Sequence, residues 1–247
     1  MPYRTFATDD VVDFYEVTSA DIAAAPTMYS LLKLMKTIVD FYRWRYFIVL
    51  HLPESGDDTL SELTLLTNWD PELIRAYDSH NLAKSSPIFS RMRGTTLPIV
   101  YDMKTVKALP ESLFAGQLFE KFGHHNGVYF PTVTPNGHRG AVGFGGQREE
   151  MPAHESAGLA YLSVQIFERV TQLNMGTQAA LGGPRLSEKE LDCIRLTASG
   201  KTSAETAVLL GTTANTVNHH LASASDKLET LNKAHTVAKS LRLGLID

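Results

Sequence analysis

The side chains best suited to chemistry stand in one short run, Thr213-Ala-Asn-Thr-Val-Asn-His-His-Leu221. Read as a helix capped by Thr212 or Thr213, it puts Val217, Leu221, Ala224 and Leu228 on one side and Asn215, Asn218, His219, Ala222 and Ser225 on the other. Small hydrogen-bonding groups on an exposed face suit the reading of base edges. An Asn amide can pair bidentately with adenine, and a first-turn group such as Thr213 or Thr216 meets phosphate with help from the helix dipole. Lys201, Lys227 and Lys233 flank the run as candidate phosphate contacts. The competing reading of the same face is plain solvated surface.

Other constellations fit no motif. His124-His125, His138 and His154-Glu155 have no metal-ligand spacing and read as exposed loop histidines. Gly140-Ala-Val-Gly-Phe-Gly-Gly146 is too compressed for a dinucleotide fingerprint and reads as a strand with close backbone approach. Gly200-Lys-Thr imitates the end of a phosphate loop, but Arg195 stands where the earlier glycine belongs. No nucleophile elbow is present, so neither an enzyme nor a cofactor or metal is expected.

The elements that must position the reading run are spelled out by short-range signals. Ser187 precedes Glu190 by three residues and Thr202 precedes Glu205 by three, the spacing of two capping boxes. The first helix carries Leu191, Ile194 and Ala198 and ends by Gly200. The second runs from about Ala204 to Leu210 with Ala207 and Leu210 inward. Gly211 then allows the sharp turn into the reading helix. Short helix, turn and polar second helix are the helix-turn-helix arrangement that enters a major groove.

This C-terminal stretch resembles the LuxR family of transcription regulators. Leu186-Ser-Glu-Lys-Glu190, Gly200-Lys-Thr-Ser, Glu205, Thr216-Val-Asn-His-His220, Lys227-Leu228 and Leu243-Gly-Leu-Ile246 follow that family's four-helix DNA-binding domain for about sixty residues. Two positions depart: Thr206 replaces a branched apolar residue, and Glu229 replaces the glycine after the reading helix. In the family the fourth helix, here about Asn232 to Leu243 with Ala234, Val237, Ala238, Leu241 and Leu245 on one stripe, pairs with its twin. The resemblance therefore implies a homodimer through Val237 and Leu241, bound to a dyad-symmetric site on double-stranded DNA.

Residues 184–247 hold eight Lys or Arg against seven Asp or Glu, a balance of +1 that leaves −5 for the rest of a chain of net charge −4. Such weak basicity implies modest non-specific affinity and reliance on specific or dimer contacts. A length of 247 residues suits two domains. Without a long apolar run or a signal-peptide core, a cytoplasmic location with no membrane association is expected. Cys193, the single cysteine, excludes an internal disulfide and reads as a packing residue.

Apolar periodicity stops at Gly176-Thr-Gln-Ala-Ala-Leu-Gly-Gly-Pro184, which sets domains at 1–175 and 185–247 with a linker at 176–184. Upstream, helices over about Pro26–Tyr42 (Met28, Leu31, Leu32, Met35 and Val39 on one side) and Met151–Leu173 (Leu159, Leu162, Ile166 and Val170) flank strand-like runs. Those runs are Arg45–Leu50, Leu63–Thr67, Gly127–Val133 and Ala141–Gly145. The expected fold is α+β: an α/β/α sandwich with an antiparallel sheet, joined to an all-α four-helix domain.

More loosely, this half resembles the signal-binding domain of LuxR-type regulators. The matching pieces are Asn68-Trp69, Tyr77, Ser86-Pro87-Ile88, Leu97-Pro98, Tyr101 and Gly127 with Pro131. In the family such a sandwich encloses an N-acyl homoserine lactone. The departures fall on its polar contacts: Leu73 stands where a Trp donates to the lactone carbonyl, Ser86 where an Asp takes the amide proton, Tyr101 where Trp is frequent, and Gly143 near a frequent Ser or Thr. A slipped match would let Trp69 or Ser85 fill a role. Three outcomes stay open: a pocket retuned to another small hydrophobic or amphipathic signal, an acyl-lactone or analogue read through substituted contacts, or a ligand-independent regulator with a closed core. Trp69, Leu73, Tyr77, Ser86, Ile88, Tyr101 and Gly143 are the candidate lining, with plain core packing as the alternative for the aromatics.

Overall fold

The computed structural model describes residues 7–53, 58–135, 137–148, 151–180, 186–243 and 245–246. Contacts divide the chain into two compact units, one of residues Met1–Thr134 and Arg139–Asn174, the other of Pro135–His138 and Met175–Asp247.

The first unit is built on five antiparallel strands: β1 (Tyr46–His51), β2 (Thr64–Thr67), β3 (Ile99–Asp102), β4 (Asn126–Val133) and β5 (Arg139–Gly146), in the order β2-β1-β5-β4-β3. Pairing of Phe47 with Phe144, and of Val142 with Val49 and Phe130, puts one set of apolar side chains on one face. That face packs against α1 (Thr8–Ala24), α2 (Met28–Phe41) and α8 (Ala153–Ala180). In α2 the Thr27 hydroxyl accepts from the Ser30 amide, and Leu31, Met35, Ile38 and Val39 are buried on one stripe. Leu159, Leu162, Ile166 and Val170 of α8 are all fully buried, as their spacing predicts.

The opposite face carries Ile48, Leu50, Tyr101, Tyr129 and Ala141. It is covered by short helices, α3 (Leu60–Leu63), α4 (Pro71–Ser79), α5 (Pro87–Gly94), α6 (Met103–Lys107) and α7 (Leu113–Lys121). The α/β/α sandwich is thus present, with more helices than periodicity foretells. The long helix α8 also runs through Ala180, so residues 176–180, expected as linker, are helical; Gln178, Ala179 and Ala180 are good helix formers. Residues 181–185 of the expected linker lie outside the described residues.

Among the described residues the second unit holds, besides the end of α8, the four helices α9 (Glu188–Ala198), α10 (Ser203–Leu210), α11 (Ala214–Lys227) and α12 (Lys233–Arg242), packed around Cys193, Ile194, Ala207, Val217, Leu221 and Ala224. Both capping boxes form: the Ser187 and Thr202 hydroxyls accept from the amides of Glu190 and Glu205, whose carboxylates accept in return. Gly211 adopts φ +62° and ends α10. Two expectations fail here. Leu210 is exposed at the end of α10, whose buried positions are Thr206 and Ala207, and Ala198 is exposed while Cys193 is buried instead. Burial raises the Cys193 thiol, in keeping with a packing role.

Candidate nucleic-acid interface and signal pocket

Thr213 caps α11 by accepting from the Thr216 amide at 3.1 Å, and the helix buries Val217, Leu221 and Ala224. That rotation leaves Thr213, Asn215, Thr216, Asn218, His219 and Ala222 exposed on one side, with Lys201 exposed before α10. Ser225 does not share this face. It is half-buried and donates to the Thr230 carbonyl at 2.8 Å, helping to close the helix.

Two of the three flanking lysines are already engaged. Lys227 sits on both oxygens of Glu190 at 2.8 Å, an ion pair that competes with the phosphate contact expected of it. Burial pushes the Glu190 carboxyl up, but hydrogen bonds from Lys227, Ser223 and Ser187 outweigh it and hold the group down at about 2. The carboxylate thereby staples α9 to the C-terminal half of α11. Lys233 donates to the Asn218 Oδ1 at 2.9 Å and to the Ser203 Oγ at 3.1 Å, and Ser203 donates to the same Oδ1 at 2.8 Å.

On α12 the inward positions are polar, Thr236 and Ser240, while Leu241 is 42% exposed and Val237 half-buried. An amphipathic helix that turns its hydroxyls inward and an aliphatic residue outward has an unfilled apolar edge.

In the first unit a cavity of about 50 Å³ lies between the sheet and the α4–α7 layer. Trp69, Tyr77, Ser86, Ile88 and Tyr101 line it as expected, together with Ser112, Val106 and Phe119, which no local pattern singles out. Leu73 is fully buried in the same core but behind the lining. Gly143 is not a lining residue either: a Cβ there would overlap the Tyr129 ring, so the glycine is the seat of that tyrosine. Gly127 does the same for Tyr101.

Ser86 has a structural task. Its hydroxyl caps α5, accepting from the Phe89 amide at 3.3 Å with Pro87 at the first helical position. Burial raises the Tyr77 phenol to about 12 against an opposing hydrogen bond with Ser86, and burial likewise raises Tyr101. Two lining groups, the Trp69 Nε1 and the Ser112 Oγ, are buried without a partner among the described residues. Among the described residues, no charged side chain lines the cavity.

Beside it, His124 overturns its reading as an exposed loop residue. It is fully buried, stacked on Tyr46 at 3.9 Å and edge-on to Trp69 at 4.8 Å. Burial, with smaller contributions from His125 and Arg45, lowers its ring to about 3, so it is neutral. The aromatic neighbours come from distant segments, which explains why local sequence gave no sign. Among the described residues no group of three or more potential ligands could hold a metal, and no helix is long and apolar enough to cross a membrane.

Residues 27–170 match the family model of the autoinducer binding domain, and residues 184–239 match that of bacterial regulatory proteins, luxR family. Among curated relatives, the transcriptional activator AhyR of Aeromonas hydrophila is 27% identical over 84% of this chain and 80% of its own. The quorum sensing-dependent transcriptional regulator RpaR of Rhodopseudomonas palustris is 26% identical over 93% of each. Among solved structures, Escherichia coli SdiA superposes with a TM-score of 0.72 at 18% identity, covering 95% of this chain and 98% of that one. SdiA in complex with octanoyl-rac-glycerol gives 0.69 at 19% identity, over 96% of both chains.

Proposed function

Because this chain belongs to the LuxR family of quorum-sensing transcriptional regulators, with an autoinducer-binding domain ahead of a helix-turn-helix domain, we propose that it acts as a homodimer on a dyad-symmetric promoter site in response to a neutral amphipathic signal. It is a regulator and not an enzyme. The observation that carries the DNA reading is the rotation of α11, which buries Val217, Leu221 and Ala224 and leaves Asn215, Asn218 and His219 exposed. Thr213 and Thr216 at its N-terminus and Lys201 nearby supply phosphate contacts. The exposed Leu241 with Val237 pairs with the same edge of a second copy, a self-complementary arrangement that matches a palindromic site.

The signal occupies the cavity of the first unit. With no carboxylate or ammonium lining it among the described residues, a charged ligand would be desolvated without compensation from them. A neutral head with hydrogen-bonding oxygens satisfies the Trp69 Nε1 and Ser112 Oγ, each worth about 1–3 kcal/mol when an unpaired buried group is relieved. The apolar tail lies along Leu60, Leu82, Val106 and Phe119. Ligand pockets usually hold ~300–1,000 Å³, so admission of the signal requires the α4–α7 layer to move outward. Binding then stabilises the unit by mass action and raises occupancy of DNA.

The small cavity of about 50 Å³ favours a second reading, a ligand-independent regulator with a closed core. Mass spectrometry of small molecules released from the purified chain separates the two. A stoichiometric neutral amphiphile is the expected result, and an empty protein that shifts promoter DNA equally with and without cell extract would establish the second reading. On DNA, His219→Ala should relax sequence preference, and Lys201→Ala should weaken all sites alike and flatten the salt dependence. Binding curves that overlay wild type for both would remove α11 from its role.

A further inference from the structure

We infer that Asn218 reads DNA as a hydrogen-bond donor only, selecting guanine rather than adenine, because Lys233 and Ser203 occupy its carbonyl oxygen. The inference deepens the reading of α11 as the DNA-recognition helix and rests on it. An Asn side chain that pairs bidentately with adenine must offer its oxygen to the N6 amino group and its nitrogen to N7. Here the oxygen accepts from Lys233 at 2.9 Å and from Ser203 at 2.8 Å, and Lys233 also holds Ser203 at 3.1 Å.

Chemistry fixes which way round the amide lies. An ammonium has three donors and no acceptor, so the atom facing the Lys233 Nζ must be the oxygen. A flipped amide would set two donor groups against each other. The Nδ2 amino group is left for DNA, on an exposed residue of the reading face. It presents the same polarity as a lysine would. Guanine offers two adjacent acceptors, O6 and N7, on its major-groove edge, whereas thymine offers one beside a methyl and adenine sets a donor next to its single acceptor. Guanine is therefore the matching base. Lys233, at the first position of α12, and Ser203, at the first of α10, are positioning residues that act through Asn218. They also tie three helices together at the point where the groove is met.

The test is selection of a randomised duplex library by the full chain, with and without N-octanoyl homoserine lactone as probe ligand, for wild type, Asn218→Ala, Lys233→Met and Lys233→Arg. The base pair read by residue 218 is the one whose preference the Asn218→Ala variant flattens. The expected result is a G·C pair there in wild type, about tenfold preferred over A·T. Lys233→Met frees the amide to flip and moves that one pair toward A·T by about tenfold, while Lys233→Arg, still a donor, leaves it at G·C. An A·T pair in wild type, no shift in Lys233→Met, or an Asn218→Ala loss spread evenly over all sequences as for a phosphate contact each overturns the inference and leaves the DNA-reading role standing. Failure of wild type to enrich any sequence overturns that role, and the inference with it.

Discussion

The proposed reading helix is put together by contacts between near neighbours, whereas the proposed signal pocket is put together by residues from several strands and the helices that cover them. In the second unit Ser187 meets Glu190, Thr202 meets Glu205, and Thr213 meets Thr216, each three residues along. The chemistry is on the outside and ready-made. In the first unit the ring of Tyr101 from β3 lies over Gly127 of β4, and Tyr129 of β4 lies over Gly143 of β5, so the pocket floor exists only once the register of three strands is set. Its chemistry is inside, nearly closed, and carries unpaired polar atoms. A surface that meets a rigid duplex benefits from local rigidity, and a pocket that must admit a ligand benefits from polar groups left without partners.

The largest expected effect tests the register half of that contrast. Gly127→Ala puts a Cβ against the Phe144 carbonyl and the Tyr101 ring, and backbone cannot move aside. We expect a loss of about 3 kcal/mol in the first unit. Both tryptophans of the chain, Trp44 and Trp69, belong to that unit, so its unfolding is read by fluorescence. A fluorescence midpoint unchanged from wild type in denaturant would show that the strands give way at that site.

Next comes acid. The fold holds His124 neutral with its ring at about 3, against about 6.5 in an unfolded chain. Between those values the unfolded state binds the extra proton, so stability falls as pH drops from 6.5 toward 3, at up to about 1.4 kcal/mol per pH unit. Glu190 has the opposite chemistry and a different window. Its carboxyl is depressed to about 2, so its contribution is complete above about 4.5 and is lost as pH falls from there to 2. The first unit should therefore weaken between pH 6.5 and 4.5 while the second holds, with fluorescence reporting one and helical circular dichroism both. His124→Phe should abolish the fluorescence slope in that range, and Glu190→Gln should reduce the dichroism loss below pH 4.5 to the part contributed by the first unit. Coincident acid transitions in wild type would contradict the separation.

These differences in construction also explain what could be read in advance. The caps, the Gly211 turn and the buried stripe of α11 are short-range signals and were all visible in the residues themselves. So were β1, β2, β4, β5 and the apolar spacing of α8, whereas the short β3 has no such signal. The α4 and α5 helices carry signals of the same sort, Asp70-Pro71 and Ser86-Pro87 as cap and first residue, and at Ser86 the capping duty coincides with a position where the family resemblance expects a carboxylate. Helix α1 buries only Val11, Thr18 and Ile22, too sparse a stripe to register. His124, Ser112 and the tyrosine seats at Gly127 and Gly143 depend on which strands and covering helices adjoin, and no local window contains that. The ion pair of Lys227 escapes a local window for a related reason: its partner Glu190 lies on another helix.

Smaller effects probe the second unit where it departs from its family. Thr206 is fully buried and its hydroxyl has no partner among the described residues. Thr206→Val is close in shape and removes that unsatisfied group, so the second unit should gain about 1–2 kcal/mol. A destabilised variant would mean that the hydroxyl is satisfied in solution.

Glu229 tests the turn that follows the reading helix. It sits at φ +51°, where a Cβ crowds the carbonyl, and it is exposed, so its side chain recovers nothing by packing. The turn is nevertheless held in place: the Thr230 amide donates to the Ser225 carbonyl at 2.9 Å, and the Ser225 hydroxyl meets Thr230 in return. Strain of this kind costs roughly 1 kcal/mol for a residue with a side chain and almost none for glycine, offset in part by the greater freedom of unfolded glycine. Glu229→Gly should therefore stabilise the second unit by a little under about 1 kcal/mol, seen as a small rise in the dichroism midpoint with the fluorescence midpoint unmoved. A fall would mean that the Ser225–Thr230 bonds, and not backbone preference, set the conformation there, and that even this locally built half of the molecule owes one turn to its surroundings.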